Sequence, residues 1–462
     1  MIDLSQLSPM MQHYMETKKE YPDCVLFYRL GDFYEMFFDD ALTVSKELEI
    51  TLTGKDCGLS ERAPMCGVPF HALDSYLYRL VQKGYKVAIA EQMEDPRQAK
   101  GLVKREVIRV VTPGTITSSQ VLDETKNNYL MGIVYMDGIY GISTADISTG
   151  DFMVTEVDSD RELFDEINKF SPSEIICNNA FYMSGVDMDE LKNRYQVVIS
   201  ALDSRFFGEE SCRRILMEHF KVGALVGLGL EDYATGIIAA GAVMQYIYET
   251  QKSTLEHITT ITPYSTGQYM VIDASTRRNL ELVETMREKQ KRGTLLWVLD
   301  KTKTAMGARL LRACIEQPLI HRDEIIKRQN AVEELNMNYI SREEICEYLN
   351  PIYDLERLIG RISYKTANPR DLIAFRSSLE MLPYIKRILG EFNSELLAEL
   401  GRELDPLQDI FQLIGDAIVE DPPITHHKGR LQPGGRQAAP CQDRGKELAG
   451  GAGGKGKRKD WH

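Results

Sequence analysis

The sequence lacks three features, each of which would have pointed to a class of protein. Its eight cysteines include no Cys-x-x-Cys pair and no Cys/His cluster at zinc-ligand spacing, which excludes a zinc module and a secreted disulfide framework. Cys57 and Cys66 are near enough to suggest a pair, but nothing around them completes a site, so the thiols read as reduced in a cytosolic compartment. No apolar run is long enough to span a bilayer. Gly236 to Tyr248 is the most apolar helical stretch, and it is short and interrupted by Gln245. Met1 to Lys19 is amphipathic and has no signal core. Positive charge is also scarce: the formal net charge is -14, which excludes a broad nucleic-acid-coating surface and confines any DNA contact to a local basic patch.

What is present reads as a multidomain globular chain. Its 462 residues allow roughly three domains, and 43% hydrophobic and 27% charged content is ordinary for packed cores. The pattern divides into a mixed α/β unit over 1–115, a polar linker over 116–128 and a second α/β unit over 129–255. A helical unit over 256–425 follows, then a Gly-rich basic tail over 426–462 that has the composition of a disordered segment. Gly451 to Lys457 imitates a P-loop, but Arg458 stands where Ser or Thr would bind magnesium and no apolar strand precedes it. The abrupt change of character there suggests a truncated or frame-shifted reading of a longer gene.

The stretch that organises the first unit is Tyr28 to Phe38. Val25, Leu26 and Phe27 before it read as a buried strand, while Phe37, Ala41, Val44 and Leu48 recur at helical spacing. Gly31-Asp32 is therefore expected to be a strand-to-helix turn, with Asp32 as N-cap and Glu35 completing a capping box. Phe33 and Glu35 would then project from the first helical turn. An exposed Phe can act as a wedge that enters a weakened base step, and stacking on a base returns roughly 1–3 kcal/mol. A carboxylate beside it needs a base-edge donor, or must itself be protonated to donate. The same residues could equally be a capped, core-facing helix start. Thr53 to Val68 reads as a loop carrying Lys55 and Arg62, followed by His71, three candidate DNA-backbone contacts; Arg97, Lys100, Lys104 and Arg105 form a basic stretch suited to phosphate contact or to simple solvation.

In the second unit, strands at Ile133–Tyr135, Ile139–Ile142 and Asp151–Val157, a helix at Asp160–Phe170 and a strand at Glu174–Cys177 resemble an RNase H-like fold. Asp146 with Asp151 or Asp158 could then be metal-binding carboxylates of a nuclease, although no converging partner is evident. From Tyr264 the pattern is almost wholly helical, including Asn279 to Gln290 with Leu280, Leu282, Val283 and Met286. Such helices serve as packing rods or levers.

Several motifs in order carry a resemblance: Gly-Asp-Phe-Tyr-Glu at Gly31–Glu35, Gly-Val-Pro-Phe-His-Ala at Gly67–Ala72, Val-Thr-Pro-Gly-Thr at Val111–Thr115, Arg-Asn-Leu-Glu-Leu at Arg278–Leu282, and Asp-Lys-Thr-Lys-Thr-Ala-Met-Gly-Ala-Arg at Asp300–Arg309. From Leu7 to about Pro423 the chain resembles the N-terminal half of the bacterial MutS family of mismatch-repair sensors. The resemblance implies a first domain that reads mispairs in double-stranded DNA through Phe33 and Glu35. It further implies a non-catalytic connector and a helical core and lever. In the family a clamp and a P-loop ATPase follow, with ATP and magnesium, a homodimer and a MutL-type partner, in a bacterial cytoplasm around the nucleoid. The ATPase has no counterpart in this sequence, so this chain is expected to bind DNA, to hydrolyse no ATP and to need no cofactor or metal. A non-enzymatic scaffold is the alternative.

Overall fold

The run Cys24–Tyr28 opens a strand, β1 (Cys24–Leu30), and is buried throughout, as a run without polar alternation should be. The structure is a computed structural model describing residues 4–94, 101, 103–118, 121–195 and 197–422. Arg97, Lys100 and the tail over 426–462 lie outside the described residues. Around β1 the first unit places a helix α1 (Pro9–Glu20), then β2 (Phe33–Phe37), α2 (Phe38–Leu48), β3 (Thr53–Lys55), β4 (Ala63–Pro69), α3 (Leu73–Gln82), β5 (Lys86–Gln92) and β6 (Arg105–Val111). The strands make one sheet in the order β3-β4-β2-β1-β5-β6, with β1 and β5 parallel and the other neighbours antiparallel. Val25, Phe27, Tyr34 and Met36 face the helices α2 and α3, whereas Leu26, Tyr28 and Phe37 face α1.

Two expectations change here. Gly31-Asp32 is the turn of a β-hairpin and not a helix start: Leu30 pairs with Phe33 and Tyr28 with Glu35. Gly31 has φ +58°, where the absence of a Cβ removes the strain. The helix begins five residues after Phe33, at Phe38. The Asp-x-x-Glu signature was outweighed by the alternation of Phe33 to Phe37 and by pairing on both edges of that strand. Likewise, the ends of the expected loop Thr53 to Val68 pair as β3 and β4.

The second unit runs β7 (Leu130–Met136), β8 (Ile139–Asp146), β9 (Asp151–Val157), α4 (Asp160–Phe170), β10 (Glu174–Cys177), α5 (Asn179–Tyr182), α6 (Met188–Tyr195), β11 (Val198–Ala201), α7 (Glu209–Phe220), α8 (Ala234–Gln251) and β12 (Thr262–Pro263). Its sheet order is β11-β10-β7-β8-β9-β12, with β8 antiparallel to both neighbours and β10 and β11 parallel to β7. That is the RNase H-like arrangement. The helix α8 lies close against the sheet because small residues meet there: a Cβ at Gly141 would come within 2.3 Å of the Thr235 carbonyl oxygen. No described helix is long and apolar enough to cross a membrane.

The helical unit comprises α9 (Ala274–Asn279), α10 (Leu295–Leu299), α11 (Ala305–Glu316), α12 (Arg322–Met337), α13 (Tyr339–Leu349), α14 (Leu355–Ser363), α15 (Pro369–Leu389), α16 (Glu395–Glu403) and α17 (Gln408–Ala417). Of the helix expected at Asn279 to Gln290, only Asn279 is helical; residues 280–294 are irregular, Glu281 and Lys289 have positive φ and Gly293 follows at +95°. Helical propagation cannot pass through such conformations.

The units are fastened by buried polar joints. Glu174 accepts from the Thr112 hydroxyl, from the Gly114 amide at 3.0 Å and from the Tyr246 hydroxyl at 2.8 Å, which explains the Val-Thr-Pro-Gly-Thr motif. Arg309, the last residue of the Asp300–Arg309 motif, forks onto Asp354 at 2.7 and 2.8 Å and onto Glu356 at 2.6 Å. It also donates to the Glu124 carbonyl at 2.8 Å, and Arg357 donates to the Lys126 carbonyl at the same distance. Two arginines of the helical unit thus hold the linker between the two sheets.

Candidate nucleic-acid interface

Phe33 opens β2 immediately after the turn and is 46% exposed, while Tyr34 and Met36 point into the core. Strand geometry places Glu35 on the same face, roughly 6.7 Å along. The turn is braced from behind. Arg29 Nε donates to the Gly31 carbonyl at 2.5 Å, and its guanidinium lies 3.9 Å from the Phe70 ring centroid. The Phe70 amide donates to the Asp32 carbonyl at 2.9 Å, and Phe70 is itself 47% exposed. Two aromatic rings therefore flank the hairpin tip.

Glu35 does not stand free. Its Oε2 lies 2.5 Å from Lys55 Nζ, which reaches over from β3, and the two side chains retain 16% and 34% of their exposure. Gly67 lies opposite Glu35 in the register; a Cβ there would come within 3.5 Å of Glu35 Cγ and 3.3 Å of the Tyr34 carbonyl oxygen. The bare backbone at Gly67 makes room for the carboxylate.

Of the remaining expected contacts, His71 is exposed and packs edge-on to Phe70 with ring centroids 6.5 Å apart. Arg62 is exposed at the far end of the β3–β4 hairpin. Lys104 is exposed and ion-paired with Glu106 at 2.5 Å. The β1–β5 and β5–β6 registers put it at the same end of the sheet as Phe33. Arg105 requires correction as a phosphate contact: it is buried, donates to the carbonyls of Arg29 and Val103 at 2.7 Å, and lies over the Tyr28 ring. It ties strand ends together. The structure thus groups Phe33, Glu35 and Lys55, with His71 and Lys104 at the same sheet end. The sequence reading missed Phe70 and Arg29, although the aromatic residue following Val-Pro was a visible signal.

Neither the carboxylates nor the cysteines form a reactive centre among the described residues. The Asp146 carboxylate is fully buried and accepts from the Asn128 and Ser148 amides, the Ser148 hydroxyl and the Asn127 side chain at 2.7 to 3.0 Å. Asn127 bridges it to Asp151. These carboxylates anchor the linker; they do not converge on a metal, and the described residues contain no cluster able to hold one. Cys57 and Cys66 are separate buried thiols donating to the Glu61 and Ala41 carbonyls, and burial pushes the Cys66 thiol up to about 12. A cavity of about 310 Å³ between the second unit and the helices is rich in basic residues. Its Arg277 and Arg312 are already paired with Glu316, at 3.1 and 3.4 Å.

Residues 8–120 match the family model of MutS domain I, 128–259 that of MutS domain II and 275–439 that of MutS domain III. The chain belongs to the MutS family. It is 63% identical over 428 residues to DNA mismatch repair protein MutS of Lachnoclostridium phytofermentans, which covers 93% of this chain and 46% of that protein. The MutS proteins of Ruminiclostridium cellulolyticum and Acetivibrio thermocellus are each 50% identical over 431 residues, covering 93% of this chain and 49% of theirs. The chain spans about half the length of these curated relatives. The mixed α/β beginning and helix-rich continuation are the MutS domains I to III in order.

Proposed function

We propose that this chain binds duplex DNA and reads mispaired or looped-out bases for mismatch repair, with Phe33 as the stacking wedge and Glu35 as the base-edge contact. The observation that carries the reading is the half-exposed Phe33 ring at a braced hairpin tip, with Glu35 two residues along the same strand face. A rigid turn matters because an inserted ring must resist being pushed aside by the base stack. Unstacking costs a few kcal/mol per step, and a mispair lowers that cost, so the wedge senses local weakness more than sequence. His71 and Lys104 are an exposed potential cation and cation at the same sheet end, suited to holding phosphate without reading sequence. The described residues supply binding, and we assign them no reaction.

The test is fluorescence anisotropy with a short duplex carrying one G·T mispair against its fully paired twin, at fixed salt because phosphate contacts are salt-dependent. The chain should favour the mispaired duplex, and Phe33→Ala should abolish the preference while leaving paired-duplex binding little changed. Equal binding of the two duplexes by the unaltered chain would refute the proposal; it would favour an interaction scaffold.

A further inference from the structure

We infer that Lys55 acts through Glu35, as the counter-charge that allows a carboxylate to work against DNA; this rests on the reading of Phe33 and Glu35 as the base-reading pair. A phosphate contact would leave Lys55 pointing outward and unengaged. Instead its ammonium is drawn back across the sheet to within 2.5 Å of Glu35 Oε2, and it lies 5.6 Å from the Phe37 ring centroid. Two-thirds of the Lys55 side chain and more than four-fifths of the Glu35 side chain are withdrawn from solvent. Glu35 sits over the bare backbone of Gly67, two residues along the strand from Phe33.

This geometry answers an electrostatic difficulty. Duplex DNA carries one negative charge per about 1.7 Å of axis, and a lone carboxylate brought into its groove is repelled. A carboxylate held against an ammonium is close to neutral at that distance and approaches without the penalty. Once the duplex is seated, its phosphates offer the ammonium a second anion. Lys55 can then turn from Glu35 to phosphate, releasing the carboxylate to a base edge at the moment Phe33 is inserted. Lys55 is therefore a positioning residue, and most of its effect is exerted through the charge on Glu35.

That dependence separates the inference from a plain phosphate contact. Lys55→Met, Glu35→Gln and the double variant form a cycle, read by anisotropy on the mispaired and paired duplexes, with Lys55→Arg as the conservative control. Lys55→Met should weaken binding to both duplexes by roughly tenfold because it leaves Glu35 uncompensated. Glu35→Gln in the Lys55→Met background should recover most of that loss, and Lys55→Arg should bind nearly as the unaltered chain does. Thermal melting of all four variants checks that each is folded; the double variant and Lys55→Arg keep the test usable if Lys55→Met is unstable. Additive effects of the two substitutions, with a mispair preference still present in the unaltered chain, would overturn the role of Lys55 alone. Loss of any Phe33-dependent preference in the unaltered chain would instead overturn the base-reading proposal, and this one with it.

Discussion

Phe33 sits on a strand, and its neighbours are consequently different from those a helix start would have supplied. Arg29, on the opposite face of β1, holds the turn carbonyl and the Phe70 ring together, and its side chain is 14% exposed. Arg29→Ala should destabilise the chain by about 1–2 kcal/mol, read as a lower urea midpoint, from the loss of the turn hydrogen bond, the cation–π contacts with Phe70 and Tyr34 and the ion pair with Glu91. A second residue-scale prediction concerns His257. Its Nε2 pairs with the Ile147 carbonyl at 2.8 Å, its Nδ1 is buried without a partner among the described residues, and Tyr364 packs edge-on at 4.9 Å. Burial pushes its pKa down to about 4. Because the unfolded chain binds this proton near pH 6.5 and the folded chain does not, its contribution is fully present above pH 6.5 and is lost as pH falls toward 4. The loss should be at most about 3 kcal/mol. Melting curves at pH 7 and pH 5 should differ less for His257→Gln than for the unaltered chain. The sequence paired Phe33 with Glu35 but read Lys55 only as a separate backbone contact, because the Glu35–Lys55 pair depends on β3 lying beside β4.

At the scale of elements, α8 shows how tertiary context reverses a local preference. Gly241 lies mid-helix, where alanine would ordinarily gain about 1 kcal/mol. Here a Cβ would fall 2.3 Å from the Cys212 Cβ and 2.5 Å from its Cα, on the neighbouring helix α7. Gly241→Ala should therefore destabilise, by about 1–3 kcal/mol, and a rise in the thermal midpoint would contradict the packing. Elements with strong local signals were legible in the sequence. The α4 helix, with its Ser159 cap accepting from the Glu162 amide, and the strand Glu174–Cys177 fall at the expected residues. The hairpin at Gly31-Asp32 was not, because a turn aspartate followed three residues later by glutamate imitates a helix cap. The irregular segment 280–294 was missed for a related reason: apolar residues at near-helical spacing do not disclose the left-handed residues between them.

For the molecule as a whole, the joints matter more than any one core. Arg309 is only 4% exposed and serves Asp354, Glu356 and the linker carbonyl of Glu124 together. Arg309→Ala should cost about 3–5 kcal/mol by leaving half-buried carboxylates without their partner. In limited proteolysis, cleavage within 121–128 should appear earlier than in the unaltered chain, and unchanged digestion would count against the joint. This organisation was only partly readable beforehand. The motif ending at Arg309 stood out, but the backbone it grips lies 185 positions earlier in the chain. Residues 124 and 126 are pinned by different arginines, and Glu174 of the connector holds Thr112 and Gly114 at the end of the first unit. The first sheet and the connector should therefore tumble together, and a fluorophore on either should report one shared slow rotational correlation time.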